Sequence, residues 1–351
     1  MPHQGNQQKR VLGLCSGAGF VVCNMIGAGI FTTTGLFAAE LGSNSAIMTV
    51  WLVAGVLAMC GTLSIIELAN IWPEAGGTYV FIRNIFGRPA GFVAGFSIAF
   101  FGIVGSISIM GGAFGFYFNK LLPSISPPLA ASLAVCLVTT IHTIGVREGN
   151  VINLLGAFFK IGLLLAFITF GFSSGSTAVS APASTFEPGE GVLFGTNAAA
   201  LGAALAATSF AYQGNMATSF IGGEIRNPEK NLKRSMILGV SIVTLLYLAV
   251  NMVFLWAAAP HEMINAKGEG IVEIGFFAAK RLFGESIGVV ANVLIMLVFF
   301  STLGVAVMIG SRVIYSMASR GELPSRLAQL NRRGSPVNAL VLMCALSLIL
   351  I

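Results

Sequence analysis

The fold of this 351-residue chain is decided by one stretch near its start, Cys23-Asn24-Met25-Ile26-Gly27-Ala28-Gly29-Ile30-Phe31-Thr32-Thr33-Thr34-Gly35. The stretch lies in the middle of the first long apolar segment, where an ordinary membrane span is an uninterrupted helix. Gly27 and Gly29 have no Cβ atom, so the backbone leaves helical dihedral angles there at low cost. Small residues in membrane helices also serve helix–helix packing. Taken alone, the stretch fits either a packing contact or a broken helix.

The composition requires lipid as the surroundings of most of the chain. Hydrophobic residues make up 56% of the sequence and charged residues 9%, and the mean hydropathy is +0.88. A soluble domain of this length cannot bury so much apolar surface. We therefore expect an all-α multi-pass membrane protein.

Nine apolar segments are candidates for membrane spans, since a helix needs about 20 residues to cross a bilayer. They cover approximately residues 11–41, 46–71, 90–117, 128–145, 151–172, 192–221, 235–259, 286–317 and 337–351. The ninth is the shortest of the later segments and reaches the last residue given. We expect a polar tail at residues 1–10 and a loop rich in Ser, Gly, Ala and Pro at residues 174–191.

The basic residues predict the orientation of the chain. With the N-terminus inside, the inner loops hold fourteen Lys and Arg residues, and the outer loops hold Lys120, Lys267, Lys280 and Arg281. Such an excess on one side is typical of cytoplasmic loops. We expect a plasma-membrane protein with a cytoplasmic N-terminus. In a bacterium this membrane would be the cell inner membrane. The net charge of +6 then reflects topology, and we expect no nucleic-acid partner.

A second interruption lies in the sixth segment, at Ser209-Phe210-Ala211-Tyr212-Gln213-Gly214-Asn215. With five spans in each half, the halves run in opposite directions. Residues 11–173 and 192–351 then form two inverted repeats, the second incomplete, joined by an extracellular loop at 174–191. Interrupted spans at corresponding places in two such repeats indicate the binding site of a transporter.

The two interruptions suit a zwitterionic ligand. An unwound segment has N–H and C=O groups without helical partners, and the N-terminus of a half-helix carries a positive partial charge. The N–H groups near Gly27 to Ile30 would bind a carboxylate. The carbonyl groups near Ile26 and Phe210 would bind an ammonium group.

Five motifs together resemble the APC superfamily of amino-acid transporters, nearest to the branch of bacterial permeases and L-type light chains. They are Ile26–Phe31, Pro73–Tyr79, Phe210–Tyr212, Glu224–Pro228 and Gly321–Pro324. The resemblance implies a LeuT-like inverted-repeat fold with helices 1 and 6 broken and twelve spans, of which about nine are present here. It also implies alternating access for a small amino acid.

The resemblance also implies the residues of the site. Substrate binding would fall to Ile26, Gly27, Ala28, Gly29, Ile30, Ser106, Phe210, Ala211, Tyr212 and Gln213. Phe210 would close over the substrate as a gate. The light chains continue this motif with G-G-W, whereas Gln213-Gly214-Asn215 stands here. The side-chain specificity of the light chains therefore cannot be transferred to this sequence.

Lys160 is the most informative single charge. It lies about ten residues from either end of the fifth segment, roughly 15 Å at the rise of a helix. A lysine stem does not reach the interface over that distance, so its ammonium group faces protein, substrate or water. Sodium-independent relatives hold a lysine here, where sodium-driven relatives hold an ion. We expect Lys160 to replace that ion, and transport to run by exchange or proton coupling.

The remaining alternatives concern the substrate and the class of protein. No carboxylate lies at mid-membrane depth, which favours neutral amino acids as substrates. Cationic amino acids and polyamines remain alternatives, because aromatic faces also bind cations.

An enzyme would need a converging set of His, Asp, Glu or Cys, and a channel would need rings of charge. Neither pattern is found, so we expect no enzyme, no cofactor and no metal. Residues 119–127 lack a cysteine, so we expect no disulfide-linked heavy chain.

Overall fold

The computed structural model describes residues 10–174, 198–265, 270–271, 273–284 and 287–351. Within these ranges the chain is helical, and extended pairing is confined to isolated bridges. The expected N-terminal tail up to residue 9 lies outside the described residues. The same holds for the expected loop from residue 175 to 191 and for residues 192–197 of the sixth segment.

The described chain contains thirteen α-helices. They are α1 (Leu14–Met25), α2 (Gly29–Leu41), α3 (Asn44–Ile71), α4 (Thr78–Phe86), α5 (Arg88–Phe96), α6 (Val104–Leu121), α7 (Pro127–Ile144), α8 (Val146–Ser174), α9 (Ala198–Ala211), α10 (Pro228–Ala257), α11 (Ile274–Phe283), α12 (Ile287–Ser319) and α13 (Val337–Leu350). A π-helical stretch, Ser97–Ile103, joins α5 and α6 into one span. Two short 3₁₀ turns, Ala217–Phe220 and Gly222–Glu224, follow α9.

The predicted all-α fold with several apolar helices of membrane length is confirmed. Seven helical segments of the described chain are long and apolar enough to cross a bilayer. The sixth and ninth predicted segments correspond to the shorter apolar helices α9 and α13. The first predicted span is broken between α1 and α2, and the sixth ends at Ala211, so both expected interruptions are present.

Local sequence signals set the ends of several helices. Ser43 precedes α3, and its hydroxyl accepts a hydrogen bond from the Ala46 N–H at 3.4 Å. Gly42 ends α2 in the left-handed region at φ 62°, where a residue without Cβ is favoured. Pro228 opens α10, at a position whose N–H would have no helical partner in any case.

The helices pack as two groups with α8 between them. In the first group, which we call the bundle, α1 and α3 pack along α10, while α9 contacts α2 and α3. In the second group, the scaffold, α6 packs against α7 and α12, and α13 contacts α7 and α12. Since α8 contacts both α1 and α12, it is one of the elements that join the bundle to the scaffold.

Polar side chains gather at the end of the molecule where the described chain begins, which we call the near face. Leu12 pairs there with Ile225 in a parallel bridge. Glu322 accepts hydrogen bonds from the Arg83 Nε and the Tyr79 hydroxyl, both at 2.6 Å. Burial, with the hydrogen bond to Glu322, raises the pKa of the Tyr79 phenol well above its ordinary value. The near face is therefore held by charge-assisted hydrogen bonds between helices.

The opposite end, the far face, carries a helix that the hydropathy pattern did not predict. This helix, α11, packs on α2 and reaches α12. A Cβ atom on Gly275 would lie 2.7 Å from the Phe31 Cδ1 atom, so the Phe31 side chain of α2 packs directly on the backbone of α11. This close contact seats α11 above the break between α1 and α2.

Candidate functional site

The two interrupted spans meet inside the bundle. α1 ends at Met25, the chain leaves helical geometry at Ile26 with ψ 91°, and α2 begins at Gly29. A Cβ atom on Gly29 would lie 2.7 Å from the Ala211 Cβ and 2.8 Å from its Cα. Because that is closer than carbon atoms approach without overlap, only glycine fits at position 29. The start of α2 therefore rests directly on the end of α9.

Backbone groups without helical partners surround this meeting point. The last turns of α1 and α9 present carbonyl groups, and the first turn of α2 presents N–H groups at the positive end of its dipole. A Cβ atom on Gly27 would meet no atom within 4 Å, so open space adjoins the first break. The geometry offers donors for a carboxylate and acceptors for an ammonium group side by side.

Tyr247 on α10 joins the two breaks, and the sequence analysis did not single it out. Its hydroxyl oxygen lies 2.6 Å from the Met25 carbonyl oxygen and 3.2 Å from the Ala211 carbonyl oxygen. The side chain is fully buried. These carbonyls end α1 and α9, so one phenol proton serves both ends. Tyr247 therefore fixes the two half-helices relative to α10.

Around Tyr247, an aromatic and polar cluster anchors the second break. The rings of Trp51, Tyr212 and Tyr247 pack within 6.0 Å of one another, centroid to centroid. The Tyr212 hydroxyl donates to the Trp51 carbonyl at 3.2 Å. The Trp51 indole N–H donates to the Thr34 hydroxyl at 3.0 Å, and Thr34 donates to the Asn251 side chain. The cluster ties the residue after α9 to α2, α3 and α10.

Lys160 on α8 reaches the end of α1 and the middle of α12. Its Nζ donates to the Cys23 carbonyl oxygen at 2.6 Å and to the Thr302 hydroxyl oxygen at 2.8 Å. The side chain is fully buried. The Cys23 carbonyl belongs to the last turn of α1, where the helix dipole is negative. An ammonium group therefore occupies the point at which α1, α8 and α12 converge.

The structure brings together most, but not all, of the predicted site residues. Ile26, Ile30, Ala211 and Tyr212 are buried at the meeting of the breaks, where Gly27, Ala28 and Gly29 also lie. Three other candidates are exposed: Ser106, Phe210 and Gln213. The Ser106 hydroxyl donates to the Gly102 carbonyl of its own helix, and the Phe210 side chain is 62% exposed. The gating function of Phe210 stays a prediction.

A buried ion pair joins α12 to the turn that follows α9. Arg312 on α12 donates from Nε to the Glu224 carboxylate at 2.8 Å, and both side chains are 1% exposed. The Glu224 carbonyl accepts from the N–H groups of Val11 and Leu12, each at 2.9 Å. The segment that leads into α1 is therefore attached to the turn after α9 and, through Glu224, to the scaffold.

Two cavities lie on the far side of the first break. The larger, about 430 Å³, lies between α8, α11 and α12 and is lined mainly by Phe31, Phe167, Phe170, Phe276 and Phe283. Such walls do not satisfy the charges of a zwitterion. The smaller, about 30 Å³, adjoins Ala28 and includes Glu273. In the described residues, His, Cys and Glu form no group of three that could hold a metal ion.

The order of helices and the two breaks define a class of protein, the membrane transporters with a LeuT-like inverted-repeat fold. A solved structure of a Na⁺-coupled sialic acid symporter, in a substrate-bound outward-open state, matches with a TM-score of 0.62 at 14% identity. The match covers 95% of this chain and 72% of that chain. At this identity the likeness concerns the fold alone.

The chain belongs to the amino acid permease family, whose model matches residues 12–351. This confirms the resemblance to the APC superfamily. The serine/threonine exchanger SteT of Bacillus subtilis (strain 168) is 30% identical over 334 residues, covering 92% of this chain and 72% of SteT. The large neutral amino acids transporter small subunit 2 of Rattus norvegicus is 27% identical over 357 residues. The chain spans 64% of the length of that relative.

Proposed function

We propose that the protein is a secondary active transporter that exchanges small neutral amino acids across the plasma membrane, independently of sodium, by alternating access. The observation that carries this proposal is the ammonium group of Lys160, which bonds to the Cys23 carbonyl and the Thr302 hydroxyl. A mobile cation at this point would join α1 to α8 and α12 only while bound. A lysine joins them permanently, so no sodium ion is needed to form the site.

The substrate class is supported by the two breaks and by the names of the relatives. The N–H groups at the start of α2 suit a carboxylate, and the carbonyls held by Tyr247 suit an ammonium group. SteT is named a serine/threonine exchanger and the rat relative a transporter of large neutral amino acids. Both names fit a neutral side chain and, for SteT, exchange. Transport makes and breaks no covalent bond, so we propose no enzymatic activity.

The proposed topology places the near face in the cytoplasm. Arg83, Arg147, Lys230 and Arg320 belong to helices or connections of the near face, which follows the positive-inside rule. We propose that α1 to α8 form the first inverted repeat, that α9 to α13 belong to the second, and that an extracellular loop at 174–191 joins them. The connection between α6 and α7 contains no cysteine, and we propose that no heavy chain is disulfide-linked there.

The test is uptake of radiolabelled amino acids by proteoliposomes that contain the full-length protein. A panel of neutral, cationic and acidic amino acids and polyamines is measured in sodium and in choline buffer, with and without a pH gradient, and with vesicles preloaded with unlabelled substrate. We expect saturable uptake of neutral amino acids that is equal in both buffers and faster into preloaded vesicles.

Three results would contradict the proposal. Uptake that requires sodium would contradict the function assigned to Lys160. Uptake only of cationic amino acids or polyamines would contradict the substrate class. Uptake driven by a pH gradient into empty vesicles would replace exchange by proton coupling.

A further inference from the structure

The pocket of about 30 Å³ beside the first break has room for one or two water molecules or a single ammonium group. It lies between the start of α2, the far end of α6, α11 and α12. Its lining includes Ala28, Phe31, Tyr117, Glu273, Phe276 and Phe299. It is too small for a whole amino acid, so in this state it accommodates one functional group.

Glu273 supplies the negative charge of this pocket. It is the residue before α11, and its carboxylate accepts a hydrogen bond from the Tyr117 hydroxyl at 3.2 Å. The Tyr117 ring stacks in turn on Phe299 at 5.8 Å between centroids. A carboxylate has about four lone-pair positions, so the bond from Tyr117 leaves capacity for further donors.

The surroundings keep Glu273 in place, and the salt bridges of the described residues do not include it. The close contact of Gly275 with Phe31 fixes α11 on α2, and this sets the height of Glu273 above the break. Among the far-face cations of the described chain, Arg281 bonds to Glu262 at 2.7 Å. Lys120 lies over the rings of Phe116 and Tyr117, at 4.6 and 5.0 Å from their centroids.

A carboxylate framed by aromatic faces is the chemistry that binds an ammonium group. At the other end of the pocket, Ala28 adjoins the N-terminus of α2, whose dipole attracts a carboxylate and repels a cation. Building on the proposed function, we propose that Glu273 and Tyr117 form an entry subsite on the far face for the α-ammonium group of the incoming substrate. The substrate then arrives with its carboxylate pointing toward Ala28 and the break.

The subsite acts before the substrate reaches the carbonyls at Met25 and Ala211. A neutral amino acid has no net charge, so Glu273 attracts its ammonium group at contact range, through a charge-assisted hydrogen bond that strengthens initial binding. We therefore expect the subsite to lower the KM for substrate that enters from the far face. This effect weakens as salt screens the Glu273 carboxylate. A structural latch between α11 and α6 would instead change the maximal rate and show no dependence on salt.

The experiment measures initial uptake from the far face into oriented proteoliposomes with the full-length protein. Ionic strength is varied from about 10 mM to about 150 mM, over which the Debye length falls from about 30 Å to about 8 Å. The variants are Glu273→Gln, Tyr117→Phe and, as a matched control on the same face, Glu262→Gln. Glutamine keeps the size of glutamate and one acceptor oxygen, removes the negative charge and replaces the other oxygen by an NH2 donor.

We expect Glu273→Gln to raise KM about three- to tenfold at low ionic strength with an unchanged maximal rate. The wild-type KM rises with salt, and the KM of Glu273→Gln does not. Tyr117→Phe gives a smaller rise, and Glu262→Gln keeps both the wild-type KM and its dependence on salt.

A wild-type KM in Glu273→Gln at low ionic strength, or the same dependence on salt in both proteins, would overturn the subsite. So would a loss of maximal rate with an unchanged KM, which is the behaviour of a latch. If the wild-type protein carries no amino acid, the proposed function fails and the subsite with it. If the wild type carries amino acids but the variants do not show the expected changes in KM, only the subsite is rejected and the proposed function stands.

Discussion

The hydroxyl oxygen of Tyr247 lies 2.6 Å from the carbonyl oxygen of Met25, at the residue where α1 ends. This contact ties the first break to α10, a helix of the bundle that itself has no break. The same hydroxyl lies 3.2 Å from the Ala211 carbonyl oxygen. One buried phenol therefore contacts the ends of both half-helices at the candidate substrate site.

Tyr247→Phe removes that hydroxyl and leaves the ring in place. The buried carbonyls of Met25 and Ala211 lose their donor, which costs about 1–3 kcal/mol of unfolding free energy. We expect a lower melting temperature in detergent and a higher KM for substrate, measured by initial uptake. Tyr79→Phe, which deletes a near-face hydroxyl, is the control and should leave KM unchanged. An unaltered KM in Tyr247→Phe would show that the hydroxyl does not position the site.

The two glycines of the first break differ in the effect that a methyl group would have on stability. In Gly29→Ala the new methyl group would lie 2.7 Å from the Ala211 Cβ, so the two half-helices must separate, at a cost of about 1–3 kcal/mol. In Gly27→Ala the methyl group meets no atom within 4 Å, and the folded state should keep its stability. Melting temperatures of the purified variants test this. Equal stability of the two variants would contradict the observed contact between α2 and α9.

The buried pair of Glu224 and Arg312 predicts strong coupling between two distant parts of the sequence. Arg312→Met leaves the Glu224 carboxylate in an apolar interior without its guanidinium, and breaking such a pair costs about 3–5 kcal/mol. The double variant Glu224→Gln, Arg312→Met buries no charge and should recover much of that loss. A double-mutant cycle on melting temperature measures the coupling. Additive losses would contradict a direct interaction.

The far-face pair of Glu262 and Arg281 predicts a dependence of stability on pH. Burial raises the pKa of the Glu262 carboxyl. The Ala259 N–H and the Arg281 guanidinium lower it, and because their combined effect exceeds that of burial, the net shift is downward. A carboxyl with a lowered pKa in the folded state contributes stability above its unfolded pKa, near 4.5, and loses it as the pH falls through the folded value. The contribution is small, because both side chains are about one-third exposed.

Melting temperatures of the wild type and Glu262→Gln, compared between neutral and acidic pH, test this dependence. We expect the wild type to be slightly more stable at pH 7, the difference to shrink as the pH falls below the unfolded pKa near 4.5, and to disappear below the lowered pKa of the folded state. A difference that persists in acid would mean that the charge of Glu262 is not its cause.

The sequence predicted those parts of the fold that have a long-range signature in composition. Apolar segments of membrane length located the spans, and small or polar residues inside two of them located the breaks. Lys160 was predicted because a cation far from both ends of a span must face a partner. Its actual partners, the Cys23 carbonyl and the Thr302 hydroxyl, belong to helices distant in sequence and left no local trace.

Other features could not be predicted from the sequence, for physical reasons. The helices α4 and α11 have 9 and 10 residues, shorter than the window that detects a span. Tyr247 sits in an apolar run, where a tyrosine is usually read as an anchor at the membrane interface. The contact of Glu273 with Tyr117 joins residues 156 positions apart, and no periodic pattern in the sequence indicates that two such distant residues are in contact.

The most direct test of the account is uptake by Lys160→Met, because methionine keeps an unbranched stem of nearly the same length and removes the ammonium group. Uptake by wild type, Lys160→Met and the near-face control Lys230→Met is measured in sodium and in sodium-free buffer, after thermal melting has shown that each protein is folded. We predict equal uptake by the wild type in both buffers, unchanged uptake by Lys230→Met, and loss of uptake by Lys160→Met. Full uptake by folded Lys160→Met, or a sodium requirement in the wild type, would contradict the account.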